Sequence, residues 1–484
     1  MVDVVHPQGL ALLTDLYELT MACAHHRVGS AEELASFSLF FRRPPFGGSY
    51  VVAAGIDDAV SILESLRFEE SDLAYLASLR RSDGEVLFDE SFLEILRNFE
   101  FRCDIDAVEE GEIVFAQEPL VRVTGPVWQA QLAEGLLLNL IGFESLVATK
   151  ASRVVQAARG KPVIEFGLRR AHGPNGALSA SRAAFIGGCV ATSNVLAGKV
   201  FGIPVKGTHA HSWVQFFADE KEAFSKLAQA FGQEVVYLVD TYEVAHGIRH
   251  ALQVAQKAGG LMGIRLDSGD LLTLSRRVRV ALDNSGFQQA QIIASGDLDE
   301  YLIDDLLSKG APIDAFGVGT RLVTGGQQAA IGCVYKLTAV YEGGRFVPRF
   351  KRSEDPDKRS IPGRIEVERC MDQEGTFLFD WLWDADDLSS RDGPLCNLEG
   401  EHLSLPPPAQ IRLLLSAAMR QGKRVRPFAP LEAAQKRVRK GIASLPPPLR
   451  SLDAFERGER PPVMVRAPFW EKKEALLRNV ERGS

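Results

Sequence analysis

Residues 262–270 read MGIRLDSGD: an apolar run, Met262–Leu266, closed at once by Asp267, Ser268, Gly269 and Asp270. A helical stretch follows, and the same grammar recurs on both sides. Pro162–Phe166 is closed by Gly167-Leu168-Arg169-Arg170, Ile203–Val205 by Gly207-Thr208-His209-Ala210-His211, and Val235–Val239 by Asp240-Thr241-Tyr242. Gln291–Ala294 is closed by Ser295-Gly296-Asp297, and Ile313–Val318 by Gly319-Thr320-Arg321. The runs start roughly 22–41 residues apart, the length of a strand, loop and helix. This alternation predicts an α/β fold with a parallel sheet, either a barrel or a doubly wound fold. In a βα barrel all strand carboxyl ends open on one face, where active sites lie. One polar strand end is an ordinary loop, whereas six in succession predict a convergent site.

Outside this region the pattern changes. Residues 1–150 mix helical and extended patterns. Ile56–Leu66 and Asp89–Phe99 carry helical apolar spacing, Ile113–Phe115 and Leu120–Val123 read as short strands, and Gln129–Lys150 is apolar and mostly helical. The reading divides the chain into an N-terminal α+β domain (1–150), a catalytic α/β domain (151–342), a return segment with a lid loop (343–404) and a C-terminal appendage (405–484). The lid is the charged, Pro- and Gly-containing stretch Lys351–Arg364. Two Leu-Pro-Pro-Pro stretches, at Leu405–Pro408 and Leu445–Pro448, bracket a basic helical segment in the appendage.

Composition bounds the function. The 484 residues are 46% hydrophobic and 24% charged, ordinary for a folded multidomain chain and unlike a disordered one. The net charge of −8 argues against whole-surface attraction to nucleic acid or anionic lipid, yet leaves room for a basic pocket that takes phosphates. Six Cys lie far apart without a CxxC pair, so neither a disulfide framework nor a zinc site is expected. The run Gly9–Met21 is broken by Asp15 and Glu18, and the longest apolar stretch, Leu136–Ile141, is too short to span a bilayer. No membrane partner and a cytoplasmic location are expected.

Several strand ends carry specific chemistry. Arg265 and Asp267 share one side of a strand by period-two alternation, and a carboxylate there can accept from sugar hydroxyls. Asp267 or Asp270 can also hold Mg²⁺ through water, while Asp267 or Ser268 can instead cap the following helix, one carboxylate capping as the other binds ligand. Gly317 and Gly319 in FGVGT allow backbone N–H groups to approach a phosphate. The adjacent Arg169 and Arg170 suit planar anions through paired hydrogen bonds. His209 and His211 lack a third nearby Cys or His, which disfavours zinc; a strand-end imidazole among arginines and glycines can act as a nucleophile toward phosphorus.

Taken in order, LLTDLYELTMA (12–22), FRRPPFGGSYVVAAGI (41–56), EFGLRRAHGPNG (165–176), SASRAAFIGG (179–188), TSNVLAGKVFGIPVKGTHAHSWV (192–214), GIRLDSGDL (263–271), ASGDLDEY (294–301), FGVGTRLVT (316–324) and SIPGR (360–364) resemble the nicotinate phosphoribosyltransferases. The resemblance implies an irregular parallel α/β barrel plus an α+β N-terminal domain completed by later chain. It implies a homodimer with shared active sites, and the reaction of nicotinate with phosphoribosyl pyrophosphate to nicotinate mononucleotide and pyrophosphate, coupled to ATP hydrolysis with Mg²⁺. By the same resemblance Phe166 and Tyr17 sandwich the pyridine, with Tyr17 arriving from the partner subunit. Arg265 and Arg169 lie near the ring and phosphate, Arg170 is a further candidate for the nicotinate carboxylate, and Asp267 binds ribose. Gly296, Gly317 and Gly319, with Thr320 beside them, hold the 5′-phosphate; Lys336 and Arg42 meet pyrophosphate; His211 becomes the phosphohistidine. His209 receives no catalytic role.

Four other readings compete. A quinolinate enzyme would be shorter and would need no phosphohistidine. A nicotinamide enzyme shares much of the site, although Phe-Gly-Leu-Arg-Arg and FRRPPFGG favour nicotinate. A non-catalytic metabolite-binding barrel is opposed by the intact series Arg265, Asp267, His211 and Lys336. Nucleic acid as a partner rests only on GKRVRP (422–427) and QKRVRK (435–440), against the net charge.

Overall fold

The computed structural model describes residues 9–351 and 360–482. The chain divides into two compact units: Lys150–Ala329, and the residues before and after it together.

The discontinuous unit is built on Leu34–Phe41, LASFSLFF, which is buried at seven of its eight positions. A strand buried on both faces must pair along both edges, because an unpaired buried N–H or C=O is costly. One edge pairs antiparallel with Val121–Pro126 and the other with Cys333–Glu342. The resulting sheet has seven strands, with Asp104–Ala107, Ser416–Arg420 and Lys423–Arg424 extending one side and Arg345–Pro348 the other. Later chain thus completes the N-terminal domain, as expected. A five-stranded sheet in the same unit contains Ile365–Met371, Phe377–Asp384, Leu395–Asn397, Gln410–Leu413 and Val463–Arg466.

Two boundaries differ from the sequence reading. The chain leaves the parallel-sheet unit at Ala329 rather than at 342, because Cys333–Glu342 is needed as the edge partner of Leu34–Phe41. The stretch from 405 is no separate appendage, since it contributes strands to both sheets. Its cations meet buried carboxylates of the N-terminal fold: Arg412 binds Glu112 through both guanidinium ends (2.8 and 3.0 Å), and Arg420 binds Asp106 at 2.5 Å. Of the expected lid loop, residues 352–359 lie outside the described residues.

The second unit carries six parallel strands: β1 (Val163–Glu165), β2 (Ala191–Thr192), β3 (Val236–Leu238), β4 (Gly263–Leu266), β5 (Gln291–Ala294) and β6 (Ala315–Val318). Their order is β2-β1-β6-β5-β4-β3, so β6 returns beside β1 as in a barrel, and the ladder is open between β2 and β3. Helices connect the strands, begun by side-chain caps such as Asn194, Asp219, Asp270 and Asp299. The expected strand Ile203–Val205 does not form. Val205 makes a single parallel bridge to Thr192, and Pro204 has no N–H to continue a ladder. The two-residue β2 was too short to be read from the sequence.

The helical segment Val127–Ala157 is long and apolar enough to cross a membrane by length and composition, which corrects the reading based on uninterrupted runs. Of its most apolar window, 67% is buried within the protein, as in a core helix.

Candidate active site

A cavity of about 570 Å³ opens at the carboxyl ends of the six strands. Phe166, Arg169, Arg170, His211, Arg265, Asp267, Gly296, Gly317, Gly319 and Thr320 all line it. Ten residues predicted from separate strand ends therefore share one space. Tyr17, Arg42 and Lys336 belong to the other unit.

Arg265 is the hub. Its Nε donates to Ser295 Oγ (2.8 Å), Nη1 to Thr208 Oγ1 (3.0 Å) and Nη2 to Asp267 Oδ1 (2.6 Å). One planar fork thus ties β4 to the ends of β5 and of the 203–211 segment, which a point-charge lysine cannot do. The same guanidinium stands 5.5 Å from the centre of the Phe166 ring. Asp267 also accepts from the Ser295 hydroxyl, and its backbone N–H donates to Asp240 Oδ2 at 2.9 Å. Burial alone would raise the Asp267 carboxyl, but the Ser295 hydroxyl and the Arg265 guanidinium outweigh it and hold it below the usual carboxylate range. Asp267 is therefore a fixed negative charge at neutral pH.

His211 opens the short helix His211–Phe216. Its Nδ1 lies 3.1 Å from Thr241 Oγ1 and its Nε2 3.9 Å from Asp267 Oδ2. With Nδ1 engaged by the hydroxyl, Nε2 is the nitrogen left to react. Arg169 and Arg170 sit exposed in the one-turn 3-10 helix Leu168–Arg170, with no carboxylate partner among the described residues. That leaves both forks available to an anionic ligand.

The glycines have a packing reason as well. A Cβ on Gly317 would stand 2.5 Å from the Phe166 ring, and one on Gly296, whose φ is +93°, would stand 1.9 Å from the Asp267 carbonyl oxygen. Both positions let an aromatic face and a carboxylate come forward into the cavity.

Asp270 does not line the cavity. It caps the helix Leu271–Asn284 through Leu272 N–H and Thr273 N–H. Among the described residues no group of three or more His, Cys, Asp or Glu side chains is placed to hold a metal ion.

In the discontinuous unit, Tyr17 lies in the first turn of the helix Leu16–Val28 and is 47% exposed, so its ring is not part of the core. Partial burial, then Glu134, Glu18 and Asp15, push its phenol up to about 12. Arg42 follows Leu34–Phe41, its Nε buried without a hydrogen-bond partner among the described residues. Lys336, on Cys333–Glu342, donates from Nζ to the Tyr335 carbonyl at 2.9 Å.

Several further residues of the strand-end motifs support the site. Glu165 is buried, accepts from the Gly167 N–H, Ser181 (2.9 Å) and Thr192 (2.6 Å), and so anchors the turn that carries Phe166 to Arg170. Thr208, Asp240, Thr241 and Ser295 position Arg265, Asp267 and His211. Their signal was the strand-end position itself.

The fold and cavity define a class: a parallel α/β enzyme whose strand ends gather cations, a fixed carboxylate and an imidazole beside an aromatic ring. Residues 12–142 match the model of the nicotinate phosphoribosyltransferase N-terminal domain and residues 162–376 that of the nicotinate phosphoribosyltransferase family. The chain belongs to this family. It is 46% identical over 369 residues to the nicotinate phosphoribosyltransferase of Bacillus subtilis, covering 75% of this chain and 74% of the relative. It is 40% identical over 462 residues to a nicotinate phosphoribosyltransferase of Mycobacterium tuberculosis, covering 94% and 91%. The crystal structure of human nicotinic acid phosphoribosyltransferase superposes with a TM-score of 0.81 at 31% identity, over 96% of this chain and 99% of that one.

Proposed function

We propose that the protein transfers the phosphoribosyl group of phosphoribosyl pyrophosphate to nicotinate, giving nicotinate mononucleotide and pyrophosphate. The pyridine nitrogen forms a bond to the anomeric carbon as the bond from that carbon to the pyrophosphate oxygen breaks. The observation that carries this reading is the convergence of Phe166, Arg265, Asp267 and His211 in one cavity. Phe166 offers a flat wall for the ring, and Asp267 a charge to the positive ribose of an oxocarbenium-like transition state. Arg169 and Arg170 suit the nicotinate carboxylate and phosphates, and the Gly296, Gly317, Gly319 and Thr320 backbone suits the 5′-phosphate.

ATP is the proposed co-substrate. Its γ-phosphate passes to His211 Nε2 with release of ADP, and water later cleaves the phosphohistidine to phosphate. Mg²⁺ would arrive on the polyphosphate oxygens, which suits a cavity lined by Asp267 rather than by a cage of carboxylates. The active assembly is a cytoplasmic homodimer in which the partner subunit's Tyr17 closes the ring slot, with Lys336 and Arg42 meeting pyrophosphate.

The deciding experiment supplies phosphoribosyl pyrophosphate and Mg²⁺ with nicotinate, nicotinamide or quinolinate, with and without ATP. Nicotinate mononucleotide formation stimulated by ATP is expected. Product from either competitor but none from nicotinate overturns the assignment.

A further inference from the structure

Among the described residues the parallel sheet is not closed by backbone pairing. Between β2 and β3 lies the segment 203–211, which is bonded to β2 through its backbone: Thr192 N–H donates to Pro204 O and Lys206 N–H to Thr192 O, both at 3.0 Å. Toward β3 a side chain takes over. The Leu238 N–H donates to His209 Nε2 at 2.9 Å. His209 Nδ1 lies 3.3 Å from the Ala210 carbonyl, the contact its own N–H makes when Nε2 keeps the lone pair. Its ring also meets Phe224 edge-on, with centroids 6.1 Å apart.

On one side of His209, Thr208 accepts from Arg265; two residues along, His211 faces Thr241 and Asp267. We propose that His209 is the positioning residue of this site: its imidazole replaces the missing strand pairing between β2 and β3, and holds Thr208 and His211 in register only while the ring is neutral.

The chemistry is one-directional. A doubly protonated imidazole has no lone pair, so it would present an N–H to the Leu238 N–H and the contact would break. The Arg265 guanidinium opposes a further positive charge on the ring, and the neighbouring His211 imidazole does so whenever it carries a proton. Burial first, helped by Arg265 and His211, outweighs the Ala210 carbonyl contact that favours the charged ring and holds His209 below the ordinary histidine range. The latch is therefore closed at neutral pH and opens as pH falls through that lowered value. Opening would free the Thr208 hydroxyl from Arg265 and let His211 swing from Asp267.

The latch stands on geometry alone; its catalytic consequence rests on the phosphoribosyl transfer reading, so the test has two readouts. The first is hydrogen–deuterium exchange at the Leu238 amide, as a protection factor against pH. The second is the pH profile of nicotinate mononucleotide formation. His209→Gln places an acceptor oxygen near Nε2 that does not titrate, and His209→Ala removes it. The wild type is expected to lose Leu238 protection on acidification, and the Gln variant to keep it. The Gln variant should hold kcat at pH 8 within about threefold and move its acid limb to lower pH, while the Ala variant should lose roughly tenfold or more at every pH. Should the Ala variant fail to fold, the Gln comparison decides alone. Identical acid limbs and identical Leu238 protection in wild type and Gln variant would overturn the proposal. An inactive wild type would overturn the reaction instead, and the exchange readout would still judge the latch.

Discussion

Arg265 Nη2 lies 2.6 Å from Asp267 Oδ1, a cation and a carboxylate two residues apart at the end of one strand. The pair is held from outside as well, by Ser295 touching both partners and Asp240 fixing the Asp267 backbone. It is a preorganised dipole, aimed before any ligand arrives.

Arg265→Lys keeps the charge and loses the fork. Two charge-assisted hydrogen bonds at about 1.5–3 kcal/mol each are at stake, so kcat/KM should fall roughly a hundredfold or more. Asp267→Asn should lower kcat about 10²–10³-fold, since it removes a charge aimed at the developing cation. The Asp267 carboxyl is depressed in the fold, so its stabilising contribution is complete above the ordinary carboxylate pKa of about 4 and is lost as pH falls through its lower native value. An acid limb lying above the ordinary carboxylate range would thus not report on Asp267.

His211→Ala should abolish ATP hydrolysis and its stimulation of product formation, leaving slow ATP-independent transfer through the remaining contacts. With γ-phosphate-labelled ATP, the wild type should form an acid-labile, base-stable adduct. Label persisting in the His211→Ala protein would show that another residue is phosphorylated.

Gly317→Ala puts a methyl 2.5 Å from the Phe166 ring, which must then tilt or retreat. Overpacking of this kind costs about 1–3 kcal/mol. Thermal denaturation should show that loss, and steady-state kinetics a raised KM for nicotinate.

The proposed homodimer with shared sites predicts complementation. Tyr17→Ala and Asp267→Asn proteins, each nearly inactive, should regain about a quarter of full activity after mixing and subunit exchange, because each mixed dimer holds one intact site. A mixture as inactive as its parents would place Tyr17 in its own subunit's site.

The chemistry of the site was legible because it sits at strand ends, and strand ends are local. An apolar run, a break and a charged or glycine-bearing turn are adjacent in the chain, so Phe166, Arg265, Asp267, Gly296 and Gly317 declared themselves by position. The helices were legible for the same reason: Asp89, read as part of a helical stretch, caps Glu90–Arg97 through the Phe92 N–H.

What only the tertiary structure decided depends on partners distant in the chain. Nothing near Cys333–Glu342 says that it belongs beside Leu34–Phe41, and nothing near Arg412 names Glu112. His209 was set aside as chemically idle because its partner, the Leu238 N–H, is a backbone group on a strand that only folding brings alongside. Local periodicity records which face a residue presents to its neighbours along the chain. Hydrogen bonds and ion pairs between separate segments depend on where those segments meet in space, and no local pattern carries that information.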